Sequence, residues 1–370
     1  MGKLDRRSLI GAAVLTAGLA SRQARAAVPE GYPAGYADLV EAATQEGSLL
    51  VYSNMSAANW RPVLESFARR FPGIRVETLN LGGQAFDRYL AERATNTRTA
   101  DLLAVAEPSK WVDLQRRGEI LPYRSPEDAA WPAWSKPVPG YYTVSADPMT
   151  FLWNNSLVPE AKRPKTFDQA IALIAGSGRA WRNRITSYDP GASSFGFLTH
   201  HALVQRHGDR AWDWLQQVAE AGPRFGDRGG VIAEKVTTGE FAFAWFVSVI
   251  TFWPRLADPA RARILGWGFT EGDQALMPRG IAVPKGAGHV NAAKLLLDHT
   301  LSPEGQAAFG RGGLTPALPG LRPGDGVAHT YSSVVEAAGG EEAVFVVRHD
   351  PALEADYAAF VERWKRIAGR

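Results

Sequence analysis

Short apolar runs alternate with helical patterns in the first third of the chain. Ser48–Ser53 and Asp101–Ala106 are largely apolar, and Ile74–Leu79 alternates apolar with polar residues, so the sequence predicts three strands. After the first strand, a helix predicted to be capped by Asn59 carries its apolar residues on one face: Trp60, Val63, Leu64, Phe67 and Phe71. A second helix is predicted from Phe86. The resulting βαβαβ order indicates a parallel, open sheet.

The pattern changes at Tyr141–Trp153, a long extended stretch, and then returns to alternating helices and strands. The elements predicted next are the helix Phe167–Ala175, the strand Arg184–Thr186, the helices Phe195–Gln205 and Ala211–Ala219, and the strand Phe241–Phe246. Ala275–Pro284 is predicted to be a strand that returns to the first region, followed by a helix that Asn291 caps. A last amphipathic helix runs from Leu353 to Trp364.

Two extended crossings between α/β regions predict two lobes. We assign residues 27–145 and 280–322 to lobe 1, and residues 146–279 and 323–370 to lobe 2. The predicted fold class is therefore α/β, with two lobes joined by two crossing strands. Because open α/β sheets bind ligands at the carboxyl ends of their strands, the cleft between the lobes is the predicted ligand site.

Residues 1–26 have the features of a cleaved export signal. Arg6 and Arg7 precede the uncharged run Ser8–Ser21, and Ala24-Arg25-Ala26 matches the small-x-small cleavage pattern. The paired arginines favour a twin-arginine signal, although a Sec signal with a basic start also fits. Because the apolar run is shorter than the roughly 20 residues of a membrane-spanning helix, we predict cleavage rather than a membrane anchor.

Removing this signal changes the charge of the protein. The whole chain has a net charge of +3, but the segment after residue 26 retains 36 basic and 37 acidic residues, a net charge of −1. The basic character thus lies in the signal, and no nucleic-acid partner is predicted. The chain has no cysteine, which excludes disulfides, thiolate metal sites and a thioether-linked lipid anchor. We therefore predict a soluble periplasmic protein without a lipid anchor.

The sequence lacks a recognisable catalytic set. It contains no GxSxG, P-loop or GxGxxG motif, so neither nucleophilic nor nucleotide chemistry is indicated. Among His200, His201 and His207, helical spacing would place His200 and His207 about two turns apart on one face, but no HExxH motif or third ligand accompanies them, and a solvated helix face is the prediction. We predict no catalytic residue, no metal site and no cofactor.

A series of short segments carries a family resemblance. Ala292–Gln306, which follows Pro284–Ala287, resembles a signature segment of extracellular solute-binding proteins. Further matching segments, in the same order, are Glu46–Ser53, Asp101–Tyr123, Trp153-Asn154, Pro164–Phe167, Asp189–Ser194, Gly239-Glu240 and Ile281–Gln306. Together they resemble the periplasmic substrate-binding subunit of an ABC importer, close to the ferric-ion, spermidine/putrescine, thiamine and sugar-phosphate binding group. The resemblance implies a type II periplasmic-binding-protein fold, a monomer that closes by a hinge on a small solute, and delivery to a membrane permease and its ATPase.

The chain departs from the ferric-ion binders of this group. Those proteins typically use an adjacent tyrosine pair shortly after the Gly-Glu segment, whereas Gly239-Glu240 is followed here by Trp245, Phe246, Phe252 and Trp253. We therefore predict a small organic solute that is amine-bearing, aromatic, or phosphorylated or carboxylated. The alternatives are a ferric-ion binding protein, the input domain of a membrane sensor kinase and, with less support, a secreted α/β enzyme.

In lobe 1, the loops that follow the three strands are predicted to bind the ligand. Glycine at such a position lets the backbone approach a ligand, and a carboxylate accepts from a ligand amine or hydroxyl. The candidates are Ser53 and Asn54 after the first strand, Gly83 and Gln84 after the second, and Glu107 after the third. The alternatives are that Ser53 and Asn54 only cap the loop, that Gly83 and Gln84 form a plain turn, and that the Glu107 carboxylate is simply solvated.

In lobe 2, a strand is predicted to run directly into a helix N-terminus. Its candidates are Tyr188, Ser193 and Ser194, because free backbone donors and hydroxyls there would hold a phosphate, carboxylate or sugar oxygen. Trp245 and Ser248, at the end of the next strand, are further candidates, with Trp245 as an aromatic wall on which a ligand could stack. Core packing is the favoured interpretation of Trp245, and an N-cap alone is the alternative for Ser193.

Overall fold

The computed structural model describes residues 28–324, 326–347, 350 and 352–369. The predicted export signal lies outside these residues. The strands are β1 Ser48–Ser53, β2 Arg75–Asn80, β3 Leu102–Val105, β4 Tyr141–Asn154, β5 Ile185–Thr186, β6 Phe243–Ser248, β7 Leu265–Gly268, β8 Gln274–Ala282 and β9 Val344–Val346.

The helices surround this sheet. They are α1 Tyr36–Glu46, α2 Ala57–Arg70, α3 Ala85–Ala94, α4 Pro108–Arg116, α5 Phe167–Gly176, α6 Ser194–His207, α7 Asp209–Glu220, α8 Gly229–Thr237, α9 Pro259–Ile264, α10 Val290–Leu301, α11 Pro303–Arg311, α12 Tyr331–Ala338 and α13 Leu353–Ala368. Across the described part of the chain, none of these helices is both long and apolar enough to cross a membrane.

The strands join into one sheet of order β2-β1-β3-β8-β4-β6-β5, with β7 paired to β4 and β9 paired to β8. Strand β1 is parallel to both β2 and β3, which confirms the predicted βαβαβ opening. Strand β5 is parallel to β6, whereas β4 is antiparallel to β6, β7 and β8. The carboxyl ends of β1, β2 and β3 therefore lie at one edge of the sheet.

Strands β4 and β8 are the two long crossing strands that the sequence predicts. They pair from Tyr141 opposite Ala282 to Met149 opposite Ala275, with a register shift between Thr143 and Ser145. One end of β8 pairs with β3, and the far half of β4 pairs with β6. The crossing therefore connects the first three strands to β5 and β6. The lobe boundaries assigned above stay predictions.

Helix α2 packs as predicted but starts differently. Trp60, Val63 and Phe67 are fully buried on its inner face. Its N-cap is Ser56, not Asn59: Ser56 Oγ accepts from the Asn59 amide at 3.4 Å, and Asn59 Oδ1 accepts from the Ser56 amide at 3.0 Å. This reciprocal capping box satisfies donors at both positions, which a cap by Asn59 alone would not.

The predicted cap of α10 is also wrong. The helix begins one residue before Asn291, whose amide groups donate to Glu46 Oε1 at 2.8 and 3.1 Å. The Ala292 amide donates to Glu46 Oε2 at 2.7 Å. The carboxylate at the end of α1 therefore satisfies the first turn of α10, a long-range contact that no local pattern reveals.

The prediction of a solvated histidine face on α6 is wrong as well. His200 is fully buried and His201 is 6% exposed, because α6 packs against α7, α13 and β8. His200 Nδ1 lies 2.7 Å from the Gly196 carbonyl, and Trp245 Nε1 donates to His200 Nε2 at 3.0 Å. Burial lowers the pKa of His200 to about 4, so this histidine is neutral at physiological pH and serves packing.

Candidate functional site

A cavity of about 1080 Å³ lies between two groups of chain segments. On one side are the loops after β1, β2 and β3, here named the strand-loop face, with Asn54, Gly83, Gln84 and Glu107. On the other are the N-termini of α6 and α8, here named the helix-end face, with Ser193, Ser194, Arg228 and Gly229. The volume is that of a small-molecule pocket.

Eight of the ten residues predicted to bind a ligand line this cavity. They are Asn54, Gly83, Gln84, Glu107, Tyr188, Ser193, Ser194 and Ser248. The structure thus brings together strand ends and a helix start that are as much as 194 positions apart in the chain, as the crossing topology requires.

Ser53 and Trp245 do not line the cavity. Ser53 is fully buried, and its Oγ accepts from Trp60 Nε1 at 3.0 Å, so it packs against α2. Trp245 is 2% exposed, donates to His200 and contacts the edge of Phe225. Because β6 is buried on both faces, Trp245 packs in the core against α6, in line with the core-packing interpretation, and forms no stacking wall in the cavity.

Glu107 is the most unusual group of the strand-loop face. It is 2% exposed, and among the described residues no hydrogen bond to its carboxyl offsets this burial. A Cβ on Gly83 would lie 2.9 Å from Glu107 Oε1, so the glycine makes room for this carboxyl. Burial raises the pKa of Glu107 to about 8, which Lys110 opposes and Asp87 reinforces. At neutral pH the group is protonated and offers a hydrogen-bond donor.

The sequence analysis missed Arg279, which lies at the base of the cavity. Its side chain is 1% exposed, its Nη2 lies 3.0 Å from Asp147 Oδ2, and its Nη1 donates to Asn54 Oδ1. Asp147 also accepts from Ser145 Oγ at 3.2 Å and from the Thr315 amide at 3.1 Å. The sequence did contain a signal for it, because Arg279 is the single charge in the buried strand β8. A buried charge requires a charged or polar partner.

The helix-end face is built by two helix starts. Ser193 caps α6, where its Oγ accepts from the Gly196 amide at 3.3 Å. Helix α8 begins at Gly229 with Arg228 at the N-cap, and no side chain caps it. The first amides of a helix have no intrahelical acceptor, and the helix dipole makes this end positive. Both helix starts therefore suit an anionic atom in the cavity.

Tyr188 fixes the position of α8. Its side chain is 3% exposed, and a Cβ on Gly229 would lie 2.2 Å from the Tyr188 hydroxyl. Only glycine permits this approach of the helix start to the phenol. Burial raises the pKa of Tyr188, and a backbone hydrogen bond at Ser248 opposes this effect, so the phenol stays neutral.

Cationic side chains complete the helix-end face. Arg228, Lys235 and Arg255 all line the cavity, and the sequence analysis named none of them. Arg255 Nη1 lies 3.1 Å from Glu234 Oε2, and Lys235 Nζ lies 3.0 Å from Glu240 Oε1. Within the described residues, no three or more His, Cys, Asp or Glu side chains form a group able to hold a metal ion.

Comparison with known proteins identifies the fold. The substrate binding protein of the ABC transporter from Agrobacterium tumefaciens is 22% identical, with a TM-score of 0.76 over 87% of this chain and 94% of that one. Iron-bound HitA from Pseudomonas aeruginosa is 17% identical, with a TM-score of 0.66 over 86% and 99% of the two chains. AfuA from Actinobacillus pleuropneumoniae with fructose-6-phosphate bound is 18% identical, with a TM-score of 0.67 over 88% and 99%. These likenesses confirm the predicted two-lobed periplasmic-binding-protein fold.

The family follows from the sequence. A comparison with curated proteins found no match. The sequence profile of the bacterial extracellular solute-binding proteins, in contrast, matches residues 63–331, well over half of the chain. This span includes the loops after β2 and β3, both helix starts and both crossing strands, whereas Asn54, after β1, lies before it. The chain therefore belongs to the bacterial extracellular solute-binding protein family.

Proposed function

We propose that this protein is the solute-binding component of an ABC-type importer and that its solute is a small organic anion, a phosphate ester or a carboxylate. The exported monomer captures the solute in the periplasm and delivers it to a membrane permease with its ATPase. Family membership supports the solute-binding role. The chemistry of the cavity supports the choice of an anion.

One observation carries this choice: hydrogen-bond donors surround the cavity on both faces. The helix-end face offers the first amides of α6 and α8, the Ser194 hydroxyl and the guanidinium groups of Arg228 and Arg255. The strand-loop face adds Glu107, which is protonated at neutral pH. An oxyanion is the ligand that satisfies such a donor set, since each oxygen accepts several hydrogen bonds.

The other solute classes have less support from the cavity. The aromatic class relied on Trp245, which lies in the core. An amine would need an ionised carboxylate, and burial disfavours ionised Glu107. The other carboxylates that line the cavity, Asp227 and Glu234, already form ion pairs with arginines. A ferric ion would need hard anionic ligands, and Tyr188, the tyrosine among the described lining residues, is buried and neutral.

Binding is proposed to close the cleft. A solute that contacts both faces binds more tightly when the two lobes approach each other, so it shifts the population toward a closed form. The crossing strands β4 and β8 are the proposed hinge, because they connect the two faces. The permease then docks productively only with the closed form. In the alternative function, the protein would capture the solute in the same way, but its closed form would bind a membrane sensor kinase instead of a permease.

Calorimetry on residues 27–370 tests the solute class. We expect glucose 6-phosphate or citrate to bind, and uncharged glucose to bind at least tenfold more weakly, because a charge-assisted hydrogen bond contributes about 1.5–3 kcal/mol. At a hundred times its dissociation constant the bound anion adds about 2.7 kcal/mol of stability. Small-angle scattering should show a smaller radius of gyration with the bound anion.

A pair of arginine variants provides the matched control. Arg255 and Arg261 each contact Glu234 Oε2 at 3.1 Å, but only Arg255 lines the cavity. Arg255→Gln should weaken anion binding about tenfold. Arg261→Gln should leave it unchanged. Tight binding of ferric salts or of amines, with no binding of any organic anion, would overturn the proposal.

A further inference from the structure

The side-chain amide of Asn54 has a single allowed orientation. Its Oδ1 accepts from the Ala106 amide at 3.2 Å and from Arg279 Nη1. A backbone N–H and a guanidinium can only donate, so the oxygen of Asn54 must face them. The Asn54 Nδ2 group is therefore held on the opposite side of the amide. Because Asn54 is partly exposed and lines the cavity, Nδ2 offers N–H donors to a bound solute.

Arg279 is itself held in place from the crossing strands. Its Nη2 donates to Asp147 Oδ2 at 3.0 Å, and both side chains are 1% exposed. Asp147 is fixed in turn by Ser145 Oγ and by the Thr315 amide. The planar guanidinium bridges a carboxylate on β4 and an amide after β1, and only a forked group can do so. The orientation of Asn54 thus rests on two donors, the Ala106 amide and a guanidinium 225 positions away in the chain.

We infer that Arg279 is a positioning residue that locks Asn54 with its donor toward the cavity, and that the solute therefore carries a second oxygen acceptor besides its anionic group. This inference rests on the proposed function, in which the helix-end face holds the anion. The acceptor is a hydroxyl, a carbonyl or a second carboxylate. The solute class is then a hydroxylated phosphate ester or a dicarboxylate, not a phosphate or carboxylate with an alkyl tail.

Two probe molecules separate these classes. Glucose 6-phosphate carries hydroxyl acceptors, whereas hexyl phosphate carries the same anionic group on a tail without acceptors. We expect glucose 6-phosphate to bind at least tenfold more tightly than hexyl phosphate, as measured by calorimetry. Equal binding of the two would overturn the inference and leave the proposed function standing. Binding of neither phosphate nor of citrate would overturn both.

Asn54→Asp is the sharpest variant. The aspartate retains an oxygen for the Ala106 amide and for Arg279, so the contacts that hold the loop remain. Toward the cavity it presents an acceptor in place of a donor. We expect glucose 6-phosphate to lose at least tenfold in affinity and its preference over hexyl phosphate to disappear.

Asn80→Asp is the matched control. It places the same charge change on the same side of the cavity, but Asn80 is exposed and its Oδ1 accepts from the Gly82 amide, at 3.3 Å, with no tie to Arg279. We expect less than about a threefold change for this variant, since exposed charges are screened. An equal loss in both variants would show that added charge alone weakens binding, which would overturn the inference.

A double-mutant cycle tests the role of Arg279. Arg279→Lys retains the charge beside Asp147 but lacks the fork that reaches Asn54. We expect it to weaken glucose 6-phosphate binding about tenfold alone and to add little in the Asn54→Asp background, because the two residues act through one contact. Losses that multiply would mean that Arg279 acts on the solute independently of Asn54. If Arg279→Lys does not fold, the comparison of Asn54→Asp with Asn80→Asp decides.

Discussion

The two faces of the cavity use different parts of the chain to reach a solute. The strand-loop face presents side chains: the amide of Asn54, the amide of Gln84 and the buried carboxyl of Glu107. The helix-end face presents the backbone amides of two helix starts, backed by Arg228 and Arg255. A side chain is changed by one substitution, whereas a helix start is changed only by moving the helix. The strand-loop face is therefore the adjustable one.

Each face also contains a glycine that a neighbouring side chain requires. At Gly83 the neighbour is the end of the Glu107 side chain, 2.9 Å from a built Cβ, which can rotate away. At Gly229 a Cβ would lie 2.2 Å from the hydroxyl of the buried Tyr188 and 2.9 Å from the methyl of the half-buried Thr251. The helix-end face therefore tolerates an added side chain at its glycine less well than the strand-loop face does.

The largest expected effect is the pH dependence that Glu107 gives to stability. Its pKa is about 8 in the folded protein and 4.5 ordinarily. Because the folded-state value is the higher one, the stability is fully present below about pH 4.5 and is lost as the pH rises through about 8. We expect Glu107→Gln, which mimics the protonated acid, to gain roughly 4 kcal/mol relative to the unmodified protein between pH 4.5 and 8.5.

Urea unfolding of both proteins across this pH range measures the difference. Asp298 titrates in the same window, because burial raises its pKa to about 6. It is present in both proteins, so its contribution cancels in the comparison. If the unfolding free energies of the two proteins changed with pH in the same way, the Glu107 carboxyl would be solvated in the folded state. The strand-loop face would then lack the buried carboxyl that distinguishes it from the helix-end face.

The second effect comes from adding a methyl group to each face. Gly229→Ala should destabilise the protein by about 1–3 kcal/mol, because the packed Tyr188 hydroxyl leaves no space. Gly83→Ala should cost less than about 1 kcal/mol, since the Glu107 carboxyl can move. Thermal unfolding of both variants gives the comparison. Equal losses would contradict the conclusion that the two faces differ in rigidity.

The smallest effect separates helix capping from solute binding. Ser193→Ala should cost about 1 kcal/mol through the loss of its cap on Gly196, and it should also weaken anion binding. Thr166→Ala is the control, because Thr166 caps α5 with a similar bond to the Gln169 amide at 3.3 Å and does not line the cavity. The two variants should match in unfolding free energy and differ in calorimetry. Unchanged affinity for both would assign Ser193 to capping alone.

Local pattern predicted much of the fold. The 3.6-residue spacing of Trp60, Val63 and Phe67 placed α2 correctly, and the strand ends that precede Asn54 and Glu107 were found from their apolar runs. In β6, by contrast, all six residues are buried, so no alternation distinguished Trp245 in the core from Ser248 at the cavity. His200 was misassigned for a similar reason, since neighbouring elements cover α6 on several sides.

The sequence by itself determined the βαβαβ opening, the crossing stretches and eight of the positions that meet at the cavity, because the period of apolar residues and the chemistry of strand ends are local properties. Only the tertiary structure decided which groups are held together across the chain. Arg279 meets Asn54 and Asp147, and Gly83 makes room for Glu107, because strand register and helix packing set those distances. Protonation of the Glu107 carboxyl was decided there too, since desolvation depends on everything packed around it.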